Sequence, residues 1–120
     1  MIAGFGTVAL EILEQVPLVD AVIVPVGSGG LIAGIATVVK SMKPDCLVYG
    51  VQTEKMPGFF KSLEKGEPVT IGVESTMAPN IGVAYVGTNA FHIAKSLVDK
   101  MVTILYQYIS VQRMKLRRCE

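Results

Sequence analysis

The sequence AVIVPVGSGGLIAGIATVV occupies residues 21–39 and contains no charged residue. Its mean hydropathy is about +2, a value at which a window method predicts a transmembrane helix. Pro25 and a Gly-Ser-Gly-Gly run lie near its middle, however, where they would break such a helix and free backbone groups that find no water in a bilayer. The stretch therefore predicts two buried elements joined by a glycine loop: a strand over 21–26 and a helix over 31–42.

The composition of the chain excludes several classes of protein. Its 120 residues have room for one domain, and 51% of them are hydrophobic and 18% charged, which is too apolar for a disordered protein. The net charge of +1 predicts no nucleic-acid partner held by bulk charge. Two cysteines, Cys46 and Cys119, without a signal-peptide pattern favour a cytoplasmic protein over a disulfide-rich secreted one.

The rest of the chain alternates between helical and strand-like patterns. Apolar residues at helical spacing predict a first helix over 7–16, which Pro17 ends. The other predicted elements are a strand over 46–52, a helix over 57–65 stopped by Gly66, a loop over 66–87, a helix over 89–98 and a strand over 101–105. This order predicts an α/β fold, with a parallel sheet covered by helices on both faces.

The junction VPVGSGGLIAG at residues 24–34 is the motif that predicts a chemical function. Successive glycines adopt backbone conformations that a Cβ forbids, so several N–H groups can point into one concavity. The following helix adds the positive end of its dipole and its unpaired first N–H groups, and Ser28 adds a hydroxyl. The junction predicts a site for a phosphate dianion that needs no Lys or Arg. The alternative is a tight turn whose glycines serve only close packing.

Two other phosphate-binding motifs fit this junction less well. A P-loop requires Lys and Ser or Thr after its last glycine, but Leu31 and Ile32 follow Gly30. A dinucleotide fingerprint requires a glycine at position 32, although Glu54 stands where its acidic residue is expected. A dinucleotide site is therefore the weaker alternative.

Several segments resemble the middle of the pyridoxal-phosphate-dependent serine/threonine dehydratases and the related serine racemases. They are MIAGFGTVALEILEQV, DAVIVPVGSGGLIAGIATVVKSMKPDCLVYGVQ, ESTMAPNIGVAYVG and AKSLVDKMVTI, and the resemblance covers residues 1–104. It implies part of a fold-type-II, tryptophan-synthase-β-like domain, followed by a divergent basic end over 105–120. It also implies pyridoxal 5′-phosphate as the cofactor, with its phosphate held by Gly27, Ser28, Gly29, Gly30 and Leu31.

The activity that the resemblance implies is β-elimination of L-serine or L-threonine to a 2-oxo acid and ammonia, or racemisation of serine. The family's cofactor-bearing lysine lies in a Ser-x-Lys-x-Arg segment upstream of the part that matches Met1, and the Ser41-Met42-Lys43 string is predicted on the surface. No catalytic residue is therefore predicted. Three functions stay open: a catalytically incomplete segment of an ammonia-lyase, a segment of a serine racemase, or a non-catalytic module that binds a phosphorylated ligand or a partner subunit.

The chain departs from the family pattern inside the match as well. Phe5 stands in place of a glutamine, and Gln52 and Gly58 replace the carboxylates that hold a structural cation in some members, so no metal site is predicted. His92 is predicted as a surface or half-buried helix residue, and the Ser-x-x-Lys string at 62–65 as a solvated helix face. We also expect the isolated chain to expose apolar surface and to self-associate or form a homo-oligomer.

Overall fold

The computed structural model of the chain describes residues 1–75 and 79–105. In chain order its elements are α1 (Ile2–Gln15), β1 (Ala21–Pro25), α2 (Gly30–Met42), β2 (Leu47–Thr53), α3 (Gly58–Lys65), a 3-10 turn (Pro79–Ile81), α4 (Thr88–Ala94) and β3 (Lys100–Ile104). Each predicted helix and strand is present, and the apolar stretch 21–39 is divided between β1 and α2. In this part of the chain, no helix combines the length and the apolarity that a membrane span requires.

The three strands form one parallel sheet, as the sequence predicts, and their order in it is β1, β2, β3. Ile23 pairs with Tyr49, and Val51 pairs with Val102. Helix α2 connects β1 to β2, while α3 and α4 lie on the connection from β2 to β3. Because both crossovers lead in the same direction across the sheet and such crossovers are right-handed, α2 and α4 lie on the same face.

The core lies between this face of the sheet and the helices. Val24 and Val48 are at most 1% exposed, and they form one cluster with Ile32 and Val39 of α2 and with Phe91 of α4. Removing an aliphatic side chain of this size from water stabilises the fold by about 1.5–3 kcal/mol. The helices that cover this face therefore also hold the carboxyl ends of the strands in place.

In the part of the chain that the structure describes, the opposite face of the sheet is largely uncovered, although Thr53 at the carboxyl end of β2 is buried, so the prediction that helices cover both faces is wrong for most of this face. Ile23 is 68% exposed, Leu47 39% and Val102 38%. The register places these residues beside Tyr49 and Val51, which are half-buried. We call these five residues the open face. The two crossovers leave it uncovered because both put their helices on the other side.

Two helix ends differ from the prediction. Helix α1 begins at Ile2 rather than near residue 7, although glycines in its first turns lower helix propensity. A Cβ at Gly34 of α2 would lie 2.5 Å from the carbonyl oxygen of Ile2 and 3.0 Å from the nitrogen of Gly6. Close packing of the two helix backbones therefore extends α1. Helix α4 ends at Ala94, because residues 95–97 turn toward β3.

Lys40 and Asp99 join three elements at the amino edge of the sheet. Lys40 Nζ lies 2.8 Å from Asp99 Oδ2 and donates to the carbonyl oxygen of Cys46 at 2.9 Å. The N–H of Val48 donates to Asp99 Oδ2 at 2.7 Å. The hydrogen bond from Lys40 is the largest cause that lowers the pKa of Asp99. Cys46 is buried, as predicted, whereas Cys119 lies outside the described residues.

Candidate functional site

The glycine loop connects the carboxyl end of β1 to the start of α2. Gly29 is the N-cap of α2 and has a φ of 97°, a left-handed conformation that residues with a Cβ rarely adopt. A Cβ at Gly29 would also overlap the ring of Phe59 in α3. This position therefore requires glycine for two independent reasons, its dihedral angle and its contact with α3. A parallel α/β sheet places ligand sites at this carboxyl edge.

The backbone N–H groups of the loop have no hydrogen-bond acceptor in the part of the chain that the structure describes. Six consecutive amides, from Gly27 to Ile32, donate to no acceptor among residues 1–75 and 79–105, and the first helical bond of α2 runs from the N–H of Ala33 to the carbonyl oxygen of Gly29. No side chain in the described part of the chain caps the helix. Unpaired donors at the start of a helix, together with the helix dipole, attract an anion.

A cavity of about 320 Å³ opens beside these amides. Phe5, Ile81 and Val83 form apolar walls, and Asn80 adds a polar group. The ring of Phe5 lies against the loop, since a Cβ at Gly30 would be 3.3 Å from its Cε2 atom. Phe5, which stands in place of the family's glutamine, thus forms part of the cavity wall. No charged side chain lines this cavity within the described residues.

A second cavity, of about 370 Å³, borders the same loop and shares Ser28 and Gly30 with the first. It is lined further by Tyr85, Thr88 and Asn89. The hydroxyl oxygens of Tyr85 and Thr88 lie 3.1 Å apart, within hydrogen-bond distance. The loop is therefore bordered by one mainly apolar cavity and by one that carries hydroxyl and amide groups.

Gln52 is hydrogen-bonded to Val26, the residue directly before the loop. In the sequence, Gln52 is notable only because it departs from the family pattern. It is 1% exposed, its Nε2 donates to the carbonyl oxygen of Val26 at 3.1 Å, and its Oε1 accepts from the N–H of Phe60 at 2.9 Å. The signal in the sequence is a single polar side chain at the carboxyl end of an apolar strand. A buried amide at such a position needs partners.

The structure brings the five predicted residues of the loop, Gly27, Ser28, Gly29, Gly30 and Leu31, together around the first cavity. Glu54, the acidic residue of the dinucleotide alternative, lies directly after β2 and is exposed.

The remaining candidates have structural roles. Ser62 Oγ donates to the carbonyl oxygen of Gly58 at 2.8 Å and accepts from the N–H of Val69 at 3.0 Å, while Lys65 Nζ pairs with Glu67. The Ser-x-x-Lys string is thus no catalytic pair, although Ser62 is buried rather than solvated as predicted. The hydroxyl of Ser62 instead holds Val69, in the segment that follows α3, against this helix.

Other predicted surface groups are placed as expected. His92 is exposed on α4, Ser41 Oγ donates to the carbonyl oxygen of Thr37, and Lys43 Nζ donates to that of Pro17. Among the described residues, no three His, Cys, Asp or Glu side chains come together as a metal site.

Comparison with known proteins gives one consistent result. The model of the family "Pyridoxal-phosphate dependent enzyme" matches residues 1–109. The L-threonine ammonia-lyase of Thermotoga maritima is 45% identical over 104 residues, which are 87% of this chain and 26% of that protein. The catabolic L-threonine dehydratase TdcB of Escherichia coli K12 is 44% identical over 104 residues, or 32% of its length.

Solved structures agree with this result. The threonine deaminase of T.th. superimposes with a TM-score of 0.84 at 37% identity, over 88% of this chain and 40% of that one. Maize serine racemase superimposes with a TM-score of 0.81 at 33% identity, over 86% of this chain and 32% of that one. The chain therefore spans about a quarter to a third of the two curated relatives, which are 26% and 32% covered.

Proposed function

Because the chain belongs to the family of pyridoxal-phosphate-dependent enzymes, we propose that its glycine loop, residues 27–31, binds the 5′-phosphate of pyridoxal phosphate. The six amides from Gly27 to Ile32, which have no acceptor among the described residues, carry this proposal. They fit the group, because a phosphate dianion accepts several hydrogen bonds at once and needs no cationic side chain when amides and a helix dipole face it. If the turn served packing alone, nothing would account for six consecutive N–H groups without acceptors in the described part of the chain.

The neighbouring side chains assist the amides. The hydroxyl of Ser28 is an additional donor, and Phe5, Ile81 and Val83 keep water from the hydrogen bonds, which strengthens them. Thr88 and Asn89 in the second cavity offer polar partners to the rest of the cofactor or to an amino acid. When bound, pyridoxal phosphate supplies an electron sink that stabilises negative charge on the Cα of an amino acid.

We propose further that this domain belongs to the cofactor-binding half of an ammonia-lyase for L-serine or L-threonine, since the relatives named above are threonine ammonia-lyases and dehydratases. No lysine among the described residues lines either cavity, which supports the proposal that the isolated chain is catalytically incomplete. A segment of a serine racemase is the alternative, supported by the similarity to the maize enzyme.

We also propose a cellular compartment and binding partners for the chain. The buried, unpaired thiol of Cys46 is in keeping with a reducing compartment, so we place the protein in the cytoplasm. The open face supports self-association, because Ile23 and Val102 expose apolar surface there. The partners that we propose are thus a small amino-acid substrate and further copies of the chain, with neither nucleic acid nor membrane.

An NMR titration of the ¹⁵N-labelled chain tests the phosphate site. Pyridoxamine 5′-phosphate is the probe, because its amine does not condense with lysines, and pyridoxamine without the phosphate is the control. We expect the largest shift changes at the amides of residues 27–32 with the phosphorylated probe and none there with pyridoxamine. Equal shifts with both compounds, or shifts confined to other residues, would contradict the proposal.

A further inference from the structure

Gln52 is a polar side chain buried between two backbone groups. Its Nε2 donates to the carbonyl oxygen of Val26 at 3.1 Å, and its Oε1 accepts from the N–H of Phe60 at 2.9 Å. It is 1% exposed. Only a side chain that donates and accepts at the same time satisfies both groups, and an unmade hydrogen bond at a buried site is destabilising.

The bond to Val26 acts on the first amide of the loop. The carbonyl of Val26 and the N–H of Gly27 belong to one peptide unit, which is planar and trans, so the two groups point in opposite directions. The N–H of Val26 is held as well, by the carbonyl oxygen of Val51 at 2.9 Å. A partner that holds the carbonyl of Val26 therefore sets the direction of the N–H of Gly27.

The bond to Phe60 acts on the same loop from α3. Phe60 follows Phe59, whose ring lies so close to Gly29 that a Cβ there would overlap it. By holding the first turn of α3 to the end of β2, Gln52 keeps this ring under the loop. One side chain thus controls the loop at its first glycine and supports it at Gly29.

We propose that Gln52 is a positioning residue for anion binding, because it directs the N–H of Gly27 toward the anion. The proposal rests on the phosphate site proposed above. It assigns to a neutral amide the task of fixing the loop, without direct contact to the ligand. The charged residues of the neighbouring elements lie away from the buried amide: Glu54, Lys55, Lys61 and Glu64 are exposed, and Lys40 is bonded at the amino edge.

Gln52→Glu separates positioning from a merely structural role. Sulfate is the probe, because it remains a dianion over the whole pH range of the experiment. A protonated Glu donates to Val26 as Gln does, whereas the ionised form repels that carbonyl. Relative to wild type at the same pH, we expect about tenfold weaker sulfate binding at about pH 8 and recovery toward the wild-type value at about pH 5.

Ser62→Ala is the matched control. Ser62 is also buried and also makes two hydrogen bonds at α3, but none of them reaches the loop. We expect this variant to lose stability while it binds sulfate as wild type does. A Gln52→Glu variant that is folded and binds sulfate like wild type both at about pH 8 and at about pH 10, where a buried Glu is ionised, would overturn the positioning role alone. Absence of loop shifts in the wild type would refute the phosphate site itself.

A measurement on the wild type covers the case in which the Glu variant does not fold. The scalar coupling across the hydrogen bond between Gln52 Nε2 and the carbonyl carbon of Val26 should be detectable and should persist when sulfate saturates the loop. Gln52→Met, which is close in size and uncharged, should weaken sulfate binding about tenfold at every pH. A missing coupling, or wild-type affinity in the Met variant, would overturn the proposal.

Discussion

The N–H of Gly87 donates to the carbonyl oxygen of Ser28 at 2.9 Å, and this bond ties the segment before α4 to the glycine loop. The carbonyl of Ser28 shares a peptide unit with the N–H of Gly29, so the bond directs that N–H as the bond from Gln52 directs the N–H of Gly27. Two amides of the loop are therefore oriented by distant parts of the chain. The anion site that we propose depends on the whole fold rather than on the glycine run alone.

Gly29→Ala and Gly66→Ala together distinguish an effect on the anion site from the general effect of backbone strain. Both glycines have positive φ, 97° and 83°, but a Cβ at Gly29 would overlap Phe59, whereas a Cβ at Gly66 would meet no described atom within 4 Å. Each substitution should lower the free energy of unfolding by about 1 kcal/mol through strain, and Gly29→Ala by more. In titrations with pyridoxamine 5′-phosphate we expect binding to be lost at Gly29→Ala and kept at Gly66→Ala. Equal binding by the two variants would show that the loop is no anion site.

The contact between α1 and α2 offers a second matched pair. A Cβ at Gly34 would lie 2.5 Å from the carbonyl oxygen of Ile2, whereas a Cβ at Gly4 would meet no described atom within 4 Å. We expect Gly34→Ala to lower the free energy of unfolding by about 1–3 kcal/mol, since the helices must separate. Gly4→Ala should raise it by about 0.5–1 kcal/mol through helix propensity. Urea denaturation measures both, and a neutral effect at Gly34 would contradict the close crossing.

The ion pair at the amino edge predicts a pH dependence of stability. The pKa of Asp99 is lowered, first by the hydrogen bond from Lys40 and then by that from Val48. A carboxyl with a lowered pKa stabilises the fold above its unfolded pKa of about 3.9, and this contribution is lost as the pH falls through the folded pKa.

Asp99→Asn tests this dependence. The pair is partly exposed, so we expect the variant to be less stable than wild type by up to about 1 kcal/mol at neutral pH, with the difference beginning to shrink below about pH 4 and vanishing once the pH is below the lowered pKa of Asp99. Urea denaturation over a pH series measures it. Glu67→Gln is the control: the pKa of Glu67 is lowered by Lys65, but that pair is exposed and should matter less. A difference that stays constant with pH would exclude an electrostatic origin.

The order of the elements was predictable because each change of hydropathy period along the chain marks one helix or strand. The start of α1 was not, since the glycines that lower its local propensity are the residues that allow close contact with Gly34. The bare face was not predictable either. Ile23 alternates with Val22 and Val24 in an apolar strand, and all three are hydrophobic whether a helix covers them or not.

Of the candidate site, only the glycine loop and the helix after it were predictable from the sequence. Glycines followed by a helix indicate an anion site wherever they occur. The role of Gln52 depends on the sheet register, because parallel pairing of β1 with β2 brings residue 52 next to Val26, twenty-six positions earlier in the chain. The bond from Gly87 to Ser28 depends in the same way on the path of the chain after α3. No local pattern encodes such contacts.

We predict that the isolated chain does not catalyse the elimination of ammonia. Because no described lysine lines either cavity, we expect no ammonia from L-serine or L-threonine above a heat-treated control when pyridoxal phosphate is supplied. Reduction with borohydride followed by peptide mapping should show scattered labelling of surface lysines. One stoichiometrically labelled lysine, together with ammonia release, would show that the chain is a complete enzyme.

The open face should make the isolated chain associate. Ile23 on β1 and Val102 on β3 expose apolar side chains on the same face, on either side of β2, and contact with a second apolar surface would remove them from water. Ile23→Thr combined with Val102→Thr keeps β-branched residues in the strands while removing apolar surface. We expect light scattering after size exclusion to show assemblies for the wild type and a shift toward monomer for this variant. Leu18→Thr is the control, because Leu18 is 87% exposed but precedes the sheet. If Leu18→Thr dissociates the assemblies equally well, or if the wild type is monomeric at every concentration, the open face is not what drives association.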